Sequence, residues 1–174
     1  MPTTFTQIGL AQVVGAGGAS SIDFTSIPST YTDLVLKVSL RTSRTGTDLD
    51  DEIYVEFNGS GGTAYSVRML EGNGSTARSV ADSSQAKLTR GTAPTDDATA
   101  NTFSNSEYYI PNYAGSTNKS VSYDTVMENN GTTSKALLVA GLWSNTAAIT
   151  SIKITAVGTF VQYSTAYLYG VSNA

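Results

Sequence analysis

The residues from Asp33 to Arg41 constrain the fold more than any other stretch of this sequence. Every second residue there is apolar, and these residues are Leu34, Leu36, Val38 and Leu40. Successive side chains of a β-strand point to opposite faces, so the pattern predicts a strand with one buried face. The opposite face is mostly polar. A chain made of such strands folds as a sheet protein.

Strand-like segments of this kind fill most of the remaining sequence. They are Thr4–Gln12, Ser20–Phe24, Glu52–Phe57, Thr63–Leu70, Phe103–Ile110, Ser120–Glu128, Ser134–Trp143, Ile149–Val157 and Thr159–Val171. Asn-Gly pairs beginning at Asn58, Asn73 and Asn130 favour tight turns between strands. No stretch has a convincing helical period. We therefore predict an all-β fold, an antiparallel jelly-roll-like β-sandwich of about 8–10 strands.

Two parts of the chain are expected along the sequence. Residues 1–18 are predicted to form an N-terminal strand and a flexible Gly-rich arm, because GAGGASS from Gly15 to Ser21 gives the backbone freedom. Residues 19–174 are predicted to form a single β-sandwich domain. The polar segment 75–100 is expected to be a long loop of this domain, and loops of that length are usually functional or mobile.

The charge of the chain excludes several classes of partner. Charged residues make up 14% of the sequence, and its net charge is −4. The ten basic residues are scattered singly, so no cluster could neutralise several phosphates, and we expect no nucleic-acid partner. The sequence contains no apolar run of membrane-spanning length and no targeting pattern. We therefore expect no membrane partner.

The sequence offers little catalytic chemistry. It contains no histidine and no cysteine, which removes imidazole bases, thiol nucleophiles and the usual zinc ligands. The candidate carboxylates for a glycan-cleaving site are Asp48, Asp50, Asp51, Glu52, Glu56 and Glu107, and no spacing singles out a pair. The loop from Thr47 to Glu52 has oxygen ligands but lacks the register of a calcium-binding loop, so whether Asp48–Glu52 binds a cation stays open. We expect no cofactor and no enzymatic activity.

Two segments are apolar on both faces and therefore need a second cover. One is Ser134–Trp143, and the other is Thr159–Val171, which is rich in tyrosine. Either the loop 75–100 or another subunit could provide the cover, and a large apolar patch on a monomer generally marks an interaction surface. We predict a homo-oligomer whose interface candidates are Tyr163, Tyr167 and Tyr169, with Val139 and Trp143 as the neighbouring patch.

Four segments resemble a group of tailed-bacteriophage virion proteins. They read IDFTSIPSTYTDLVLKVSLRT, YVEFNG, SEYYIPNY and AYLYGVSNA. In those proteins an F-x-x-I-P-x-x-Y-x-D-L-x-L strand opens a jelly-roll-like sandwich and an L-Y-G strand ends the chain. The resemblance covers most of the sequence, and its motifs carry no catalytic or ligand-binding residue.

The resemblance implies a bacteriophage structural protein of the capsid decoration, head-fibre or tail-fibre type, commonly trimeric. The short chain without a fibre repeat favours a capsid decoration (cement) protein that bridges subunits of the major capsid protein. It would be made in the cytoplasm of a bacterial host and would lie on the capsid surface of the virion, with the arm Met1–Gly18 as a possible contact to the shell. The alternative is a tail-fibre or receptor-binding module that binds a host glycan through the loop 75–100 and an exposed Tyr113.

Overall fold

The computed structural model describes residues 4–46, 49–131 and 133–172, and all regular secondary structure in these ranges is β-strand. Thirteen strands follow one another along the chain. They are β1 (Phe5–Gln7), β2 (Gln12–Val13), β3 (Ala19–Phe24), β4 (Asp33–Ser39), β5 (Asp50–Phe57), β6 (Tyr65–Gly72), β7 (Ala77–Gln85), β8 (Leu88–Pro94), β9 (Asn105–Pro111), β10 (Lys119–Met127), β11 (Lys135–Trp143), β12 (Ile152–Phe160) and β13 (Thr165–Val171).

The strands form two antiparallel sheets of unequal width. The larger sheet has the order β1-β13-β4-β9-β10-β11-β6-β7, with β2 also paired to β13, and the smaller has the order β3-β12-β5-β8. This confirms the predicted all-β antiparallel sandwich. Its jelly-roll character stays a prediction. The strand count exceeds the expected range because the N-terminal segment contributes two short strands and residues 75–100 contribute two more.

The prediction of a long loop at residues 75–100 was wrong. Strand β7 pairs with β6 along the edge of the larger sheet, and β8 pairs with β5 along the edge of the smaller one. Only Ala86 and Lys87 separate the two strands, so the chain passes here from one sheet to the other. The sequence does not reveal either strand, because β7 is an exposed polar edge and β8 buries only one large apolar side chain, Leu88, beside threonine and glycine.

The N-terminal segment is part of the larger sheet. Phe5 in β1 pairs with Val171, and Val13 in β2 pairs with Thr165, so both short strands lie against β13. The backbone N–H of Ile8 also donates to a carbonyl of β13. Residues 4–14 are therefore held to the sandwich by main-chain hydrogen bonds.

The core lies between the two sheets and is rich in aromatic rings. The rings of Phe57, Tyr65 and Trp143 pack together, with Phe57 and Trp143 centroids 5.6 Å apart. Tyr108 and Tyr123 stack at 4.6 Å from neighbouring strands. Edge and offset contacts of this kind add to the stabilisation that comes from burial alone.

The assignment of Val139 and Trp143 to an intersubunit patch is corrected by this packing. Val139 is 1% exposed and Trp143 is fully buried within the single chain. Both point toward the smaller sheet, which covers their face of β11. Both faces of β11 are apolar, and the face that carries Val139 and Trp143 is the one that belongs to the core of the domain.

Candidate interaction surface

The opposite side of the larger sheet, here called the outer face, is the largest surface of the domain that the smaller sheet does not cover. Residues paired across antiparallel strands share a face. One row of such partners crosses six strands and consists of Tyr167, Lys37, Glu107, Asp124, Leu138 and Leu70. The row passes from an aromatic half through a charged strip to an aliphatic half.

The aliphatic half of the outer face is an exposed apolar patch. Its members share this face of β10, β11, β6 and β7, and we call them the aliphatic patch: Leu70, Ala77, Val126, Ala136, Leu138 and Ala140. Leu70 and Leu138 are each 61% exposed and Val126 is 41% exposed. The second face of β11 that the sequence predicted to need a cover is therefore open in the single chain.

Two shallow grooves flank the exposed leucines. Leu70 and Leu138 line both of them and form the ridge between them. The groove of about 440 Å³ extends toward Arg68 and Ala140. The groove of about 710 Å³ extends toward Asp124 and Val126 among others. The first depression is thus bounded by Arg68, and the second by Asp124 together with the Arg78–Glu71 ion pair.

The charged strip lies in the middle of the outer face and is not balanced. Lys37 pairs with Glu107 at 2.7 Å, and this carboxylate raises the pKa of the Lys37 ammonium. Asp124 lies directly opposite Glu107 on the neighbouring strand. Like charges opposite each other destabilise a sheet. Within the described part of the chain Asp124 is exposed and has no ion-pair partner.

The aromatic half contains two of the predicted interface tyrosines. Tyr167 and Tyr169 are half-buried on the outer face of β13. The exposed ring of Phe5 meets Tyr169 edge to face, with centroids 6.4 Å apart. Tyr109 donates from its hydroxyl to Asp33 at 2.8 Å, which raises the pKa of the phenol. A tyrosine combines an apolar ring with a hydroxyl that forms hydrogen bonds, and this property suits an interface.

Tyr163, which the sequence grouped with Tyr167 and Tyr169 as an interface candidate, does not lie on this face. It occupies the turn before β13, in the left-handed region with φ of 72°. Its backbone N–H donates to the carbonyl of Val14, and its side chain is 68% exposed. Tyr163 therefore belongs to the N-terminal edge of the sandwich, beside the exposed Val13.

Ion pairs line a small cleft at the other edge, and reasoning from the sequence missed them. Lys135 of the larger sheet binds Asp50 of the smaller sheet at 2.7 Å, and Arg90 of the smaller sheet binds Asp82 of the larger sheet at 2.6 Å. Arg90 also holds the pKa of the Asp82 carboxyl below its usual value, chiefly through their hydrogen bond. These pairs join residues distant in sequence and tie the two sheets together at the cleft.

Among the residues that the structure describes, the candidate carboxylates do not face one another from opposite walls of a cleft. Asp50 is neutralised by Lys135, and Asp51 is buried, accepting from the Gly158 N–H and pairing with Arg44. Glu52 lines the same cleft as Asp50, two residues along the same face of β5, and the other described candidates lie apart from them. Glu52 accepts from the Arg90 N–H, Glu107 pairs with Lys37 on the outer face, Glu56 is half-buried on β5, and Asp48 lies outside the described residues.

The described residues contain no group of three or more acidic side chains placed to hold a metal ion. They also contain no helix long and apolar enough to cross a membrane.

Tyr113 is not an exposed aromatic, contrary to its predicted role in glycan binding. The side chain is fully buried, and its hydroxyl donates to the backbone carbonyl of Pro28. It fastens the loop after β9 to the turn before β4. The bulk of the ring, which suggested a sugar contact at a loop tip, instead fills the end of the core.

No protein-family model, curated protein or solved structure matches this chain. Function is therefore inferred from the surfaces of the molecule itself. Among these the outer face of the larger sheet is the candidate site.

Proposed function

We propose that this chain is a structural subunit of a bacteriophage virion, a capsid decoration protein that self-associates and stabilises the head by bridging subunits of the major capsid protein. The observation that carries the proposal is the open outer face of the larger sheet, with its aliphatic patch and its aromatic half. Contiguous apolar surface of this kind on a small domain is typical of a protein that binds other proteins.

The outer face is large enough for stable association. Eight strands spaced at about 4.8 Å and rising for about 20 Å give a flat area of roughly 800 Å². A standard protein interface buries about 800 Å² on each partner. Burial of its apolar part would contribute roughly 25 cal/mol per Å² before the cost of association, and many such contacts around a capsid would resist the pressure of the packaged genome.

The resemblance described above supports a trimer, and we assign the trimer contact to the aromatic half of the outer face. Tyr167 and Tyr169 are half-buried in the single chain, and in a trimer their rings would pack while their hydroxyls form hydrogen bonds. Phe5 extends this surface to the edge of the sheet, since β1 pairs with β13. The exposed turn at Tyr163 lies at the same side of the domain and is available for the shell.

The receptor-binding alternative loses the two features that favoured it. Residues 75–100 form strands β7 and β8 and a short turn region, and Tyr113 is buried. The proposal therefore keeps the decoration role, and glycan binding becomes an outcome of its test.

The test measures binding to the capsid directly. The purified chain is mixed with capsids assembled from the major capsid protein of the genome that encodes it, and saturable co-sedimentation is expected. Light scattering after size-exclusion chromatography should give about three times 18.2 kDa for the parent. Tyr167→Glu should lower this mass, while Thr63→Glu, which adds the same charge in an exposed loop, should not.

Two results would contradict the proposal. One is binding to a glycan array by a chain that does not sediment with capsids. The other is hydrolysis of a polysaccharide that is lost in Glu52→Gln, since this would make the chain an enzyme.

A further inference from the structure

We infer that Asn130 is a site of spontaneous deamidation, in which the next residue, Gly131, attacks the side-chain amide and water completes the conversion to aspartate or isoaspartate. This chemistry is independent of the proposed function. The sequence contains three Asn-Gly pairs, which begin at Asn58, Asn73 and Asn130. Glycine has no Cβ, so it hinders attack by its own main-chain nitrogen less than other residues do. The three pairs are therefore alike in sequence, and the fold distinguishes them.

The reaction joins two groups of adjacent residues. The main-chain nitrogen of Gly131 loses its proton to solvent base and attacks Cγ of Asn130. A C–N bond forms and closes a five-membered succinimide ring, and the side-chain nitrogen takes up a proton and leaves as ammonia. Water then adds to one of the two ring carbonyls and breaks a C–N bond. The product is aspartate or isoaspartate, depending on which carbonyl reacts.

The amide of Asn58 is protected from this reaction by its hydrogen bonds. Its Oδ1 accepts from the backbone N–H groups of Thr150 at 2.8 Å and Ser151 at 3.1 Å, and from the Thr150 hydroxyl at 3.2 Å. Its Nδ2 donates to the carbonyl of Ala148 at 2.8 Å. Attack makes Cγ tetrahedral and expels Nδ2, so the reaction disrupts these four bonds. The side chain is also half-buried, which restricts its rotation.

Asn73 is exposed but is protected in a similar way. Its Oδ1 accepts from the backbone N–H groups of Ser75 at 3.0 Å and Thr76 at 2.8 Å. The hydroxyls of the same two residues donate to this oxygen as well, each at 3.1 Å. The amide thus forms part of the turn between β6 and β7, and the turn has to open before the amide can react.

The amide of Asn130 has no such restraint. The main chain of Asn130 resembles that of Asn58, with φ of 53° and 55°. The backbone N–H of Asn130 donates to the carboxylate of Glu128 at 2.7 Å. Its side chain is exposed in the turn after β10, and within the described ranges the side-chain amide forms no hydrogen bond. Of the three electrophilic carbons, that of Asn130 is therefore the one free to turn toward the nitrogen that follows it.

A single hydrogen bond restrains the attacking nitrogen. The N–H of Gly131 donates to Oδ1 of Asn129 at 2.8 Å. Asn129 is buried, and it is held by the carbonyl of Thr133 and the hydroxyl of Ser134. The Gly131 N–H has to leave this acceptor before it can lose its proton, so the population of the opened turn sets the rate. Opening costs one hydrogen bond here, against four at each of the other two pairs.

The reaction changes the turn and leaves the strands paired. Pairing between β10 and β11 begins at Met127 and Lys135, on either side of the reacting turn. Aspartate or isoaspartate at position 130 adds one negative charge to a net charge of −4 and places it near Glu128. Isoaspartate also lengthens the main chain of the turn by one carbon. The folded protein thus gains a permanent mark that accumulates with its age.

Peptide mapping of the aged protein tests the inference. The full chain is kept for days in mildly alkaline buffer and digested in acid, where deamidation stops. Tandem mass spectrometry then measures aspartate and isoaspartate at each Asn-Gly pair. Asn130 should convert at least about tenfold faster than Asn58 or Asn73, since each additional hydrogen bond lowers the population of the reactive form. In concentrated urea the three pairs should convert at similar rates, because the fold no longer distinguishes them.

Two variants test the role of Asn129. Asn129→Ala removes the acceptor of the Gly131 N–H and should speed conversion of Asn130 about fivefold, the effect of losing one hydrogen bond. Asn129→Asp keeps an acceptor at this position and should react at the rate of the parent. Melting temperatures show whether both variants are folded. An equal rate in Asn129→Ala and Asn129→Asp would overturn the role of this bond.

Two results from the parent protein alone would overturn the assignment of Asn130. One is conversion of Asn58 or Asn73 in the folded chain at the rate of Asn130 or faster. The other is a preference for Asn130 that persists unchanged in urea, since selectivity would then come from the local sequence and not from the fold.

Discussion

Arg41 holds the segment after β8 in place, and its removal is the sharpest test of the fold. The side chain is buried, and its guanidinium donates to carbonyl oxygens of Thr99 at 2.8 Å and Ala98 at 3.0 Å. Longer hydrogen bonds reach Thr102 and Asp96 at 3.2 and 3.4 Å. One planar guanidinium thus donates to four backbone carbonyls of this turn, because its several N–H donors are held in a fixed, forked geometry.

Arg41→Met is expected to lower the free energy of unfolding by about 3 kcal/mol. Each of the two short hydrogen bonds from a charged donor contributes about 1.5 kcal/mol. The longer bonds add little, because Asp96 is exposed and water can replace them. For a chain of 174 residues this corresponds to a fall in melting temperature of roughly 6–12 °C. Arg41→Lys should lower the free energy of unfolding by about half as much, since an ammonium keeps the charge but lacks the forked N–H donors of a guanidinium.

Urea unfolding followed by tryptophan fluorescence measures the change. The method suits this chain because its single tryptophan, Trp143, lies in the core. Hydrogen exchange should quicken first at Ala98 and Thr102, whose amides bond within the turn. Lys153→Met is the matched control, because its ion pair with Asp23 is long and exposed. An Arg41→Met protein as stable as this control would refute the assignment of Arg41 as the anchor of the turn.

Three further predictions concern single positions. Arg90 lowers the pKa of the Asp82 carboxyl in the folded state. The pair therefore stabilises the fold at pH values above 3.8, the ordinary pKa of this group. This stabilisation is lost as the pH falls through the lower pKa of the folded state. In acid titrations of stability, Asp82→Asn should therefore show a shallower decline than the parent between about pH 4 and pH 2, and equal slopes would contradict the effect. Gly91→Ala should lower the free energy of unfolding by about 2 kcal/mol or more. The new methyl group would lie 2.7 Å from the Tyr108 hydroxyl and 3.0 Å from a backbone oxygen. An unchanged melting temperature would contradict this prediction. Lys119→Met should lower the free energy of unfolding in urea by about 2–4 kcal/mol, because the buried ammonium donates to three backbone carbonyls. A gain in stability would show that those carbonyls do not require this donor.

The strands that alternate clearly were predictable, and the reason is local. In β4, β5, β6 and β10 the apolar residues recur with the period of a strand, and the structure buries that set in each. Strands β7 and β8 could not be found in this way. Edge position makes β7 polar, and close packing beneath Tyr108 puts Gly91 in β8, so neither has the expected pattern.

The candidate surface was only partly predictable. The sequence indicated that β11 is apolar on both faces, and Tyr167 and Tyr169 do lie on the outer face of the larger sheet. It gave no means to choose between Val139 and Leu138, since both are aliphatic residues of one strand. Tyr163 was misplaced because a turn with positive φ interrupts the alternation just before β13.

Taken alone, the sequence determines the all-β class, the antiparallel sandwich and the scarcity of catalytic groups, because these follow from side-chain period and composition. The tertiary structure decides which apolar face is covered. A four-stranded sheet lies on one side of a wider sheet, so Val139 and Trp143 become core while Leu70 and Leu138 remain in solvent. It also decides the ion pairs, since Lys135 and Asp50 lie 85 positions apart and meet only where the sheets close. Contacts of that range depend on how strands from the whole chain are ordered, and local patterns do not contain that order.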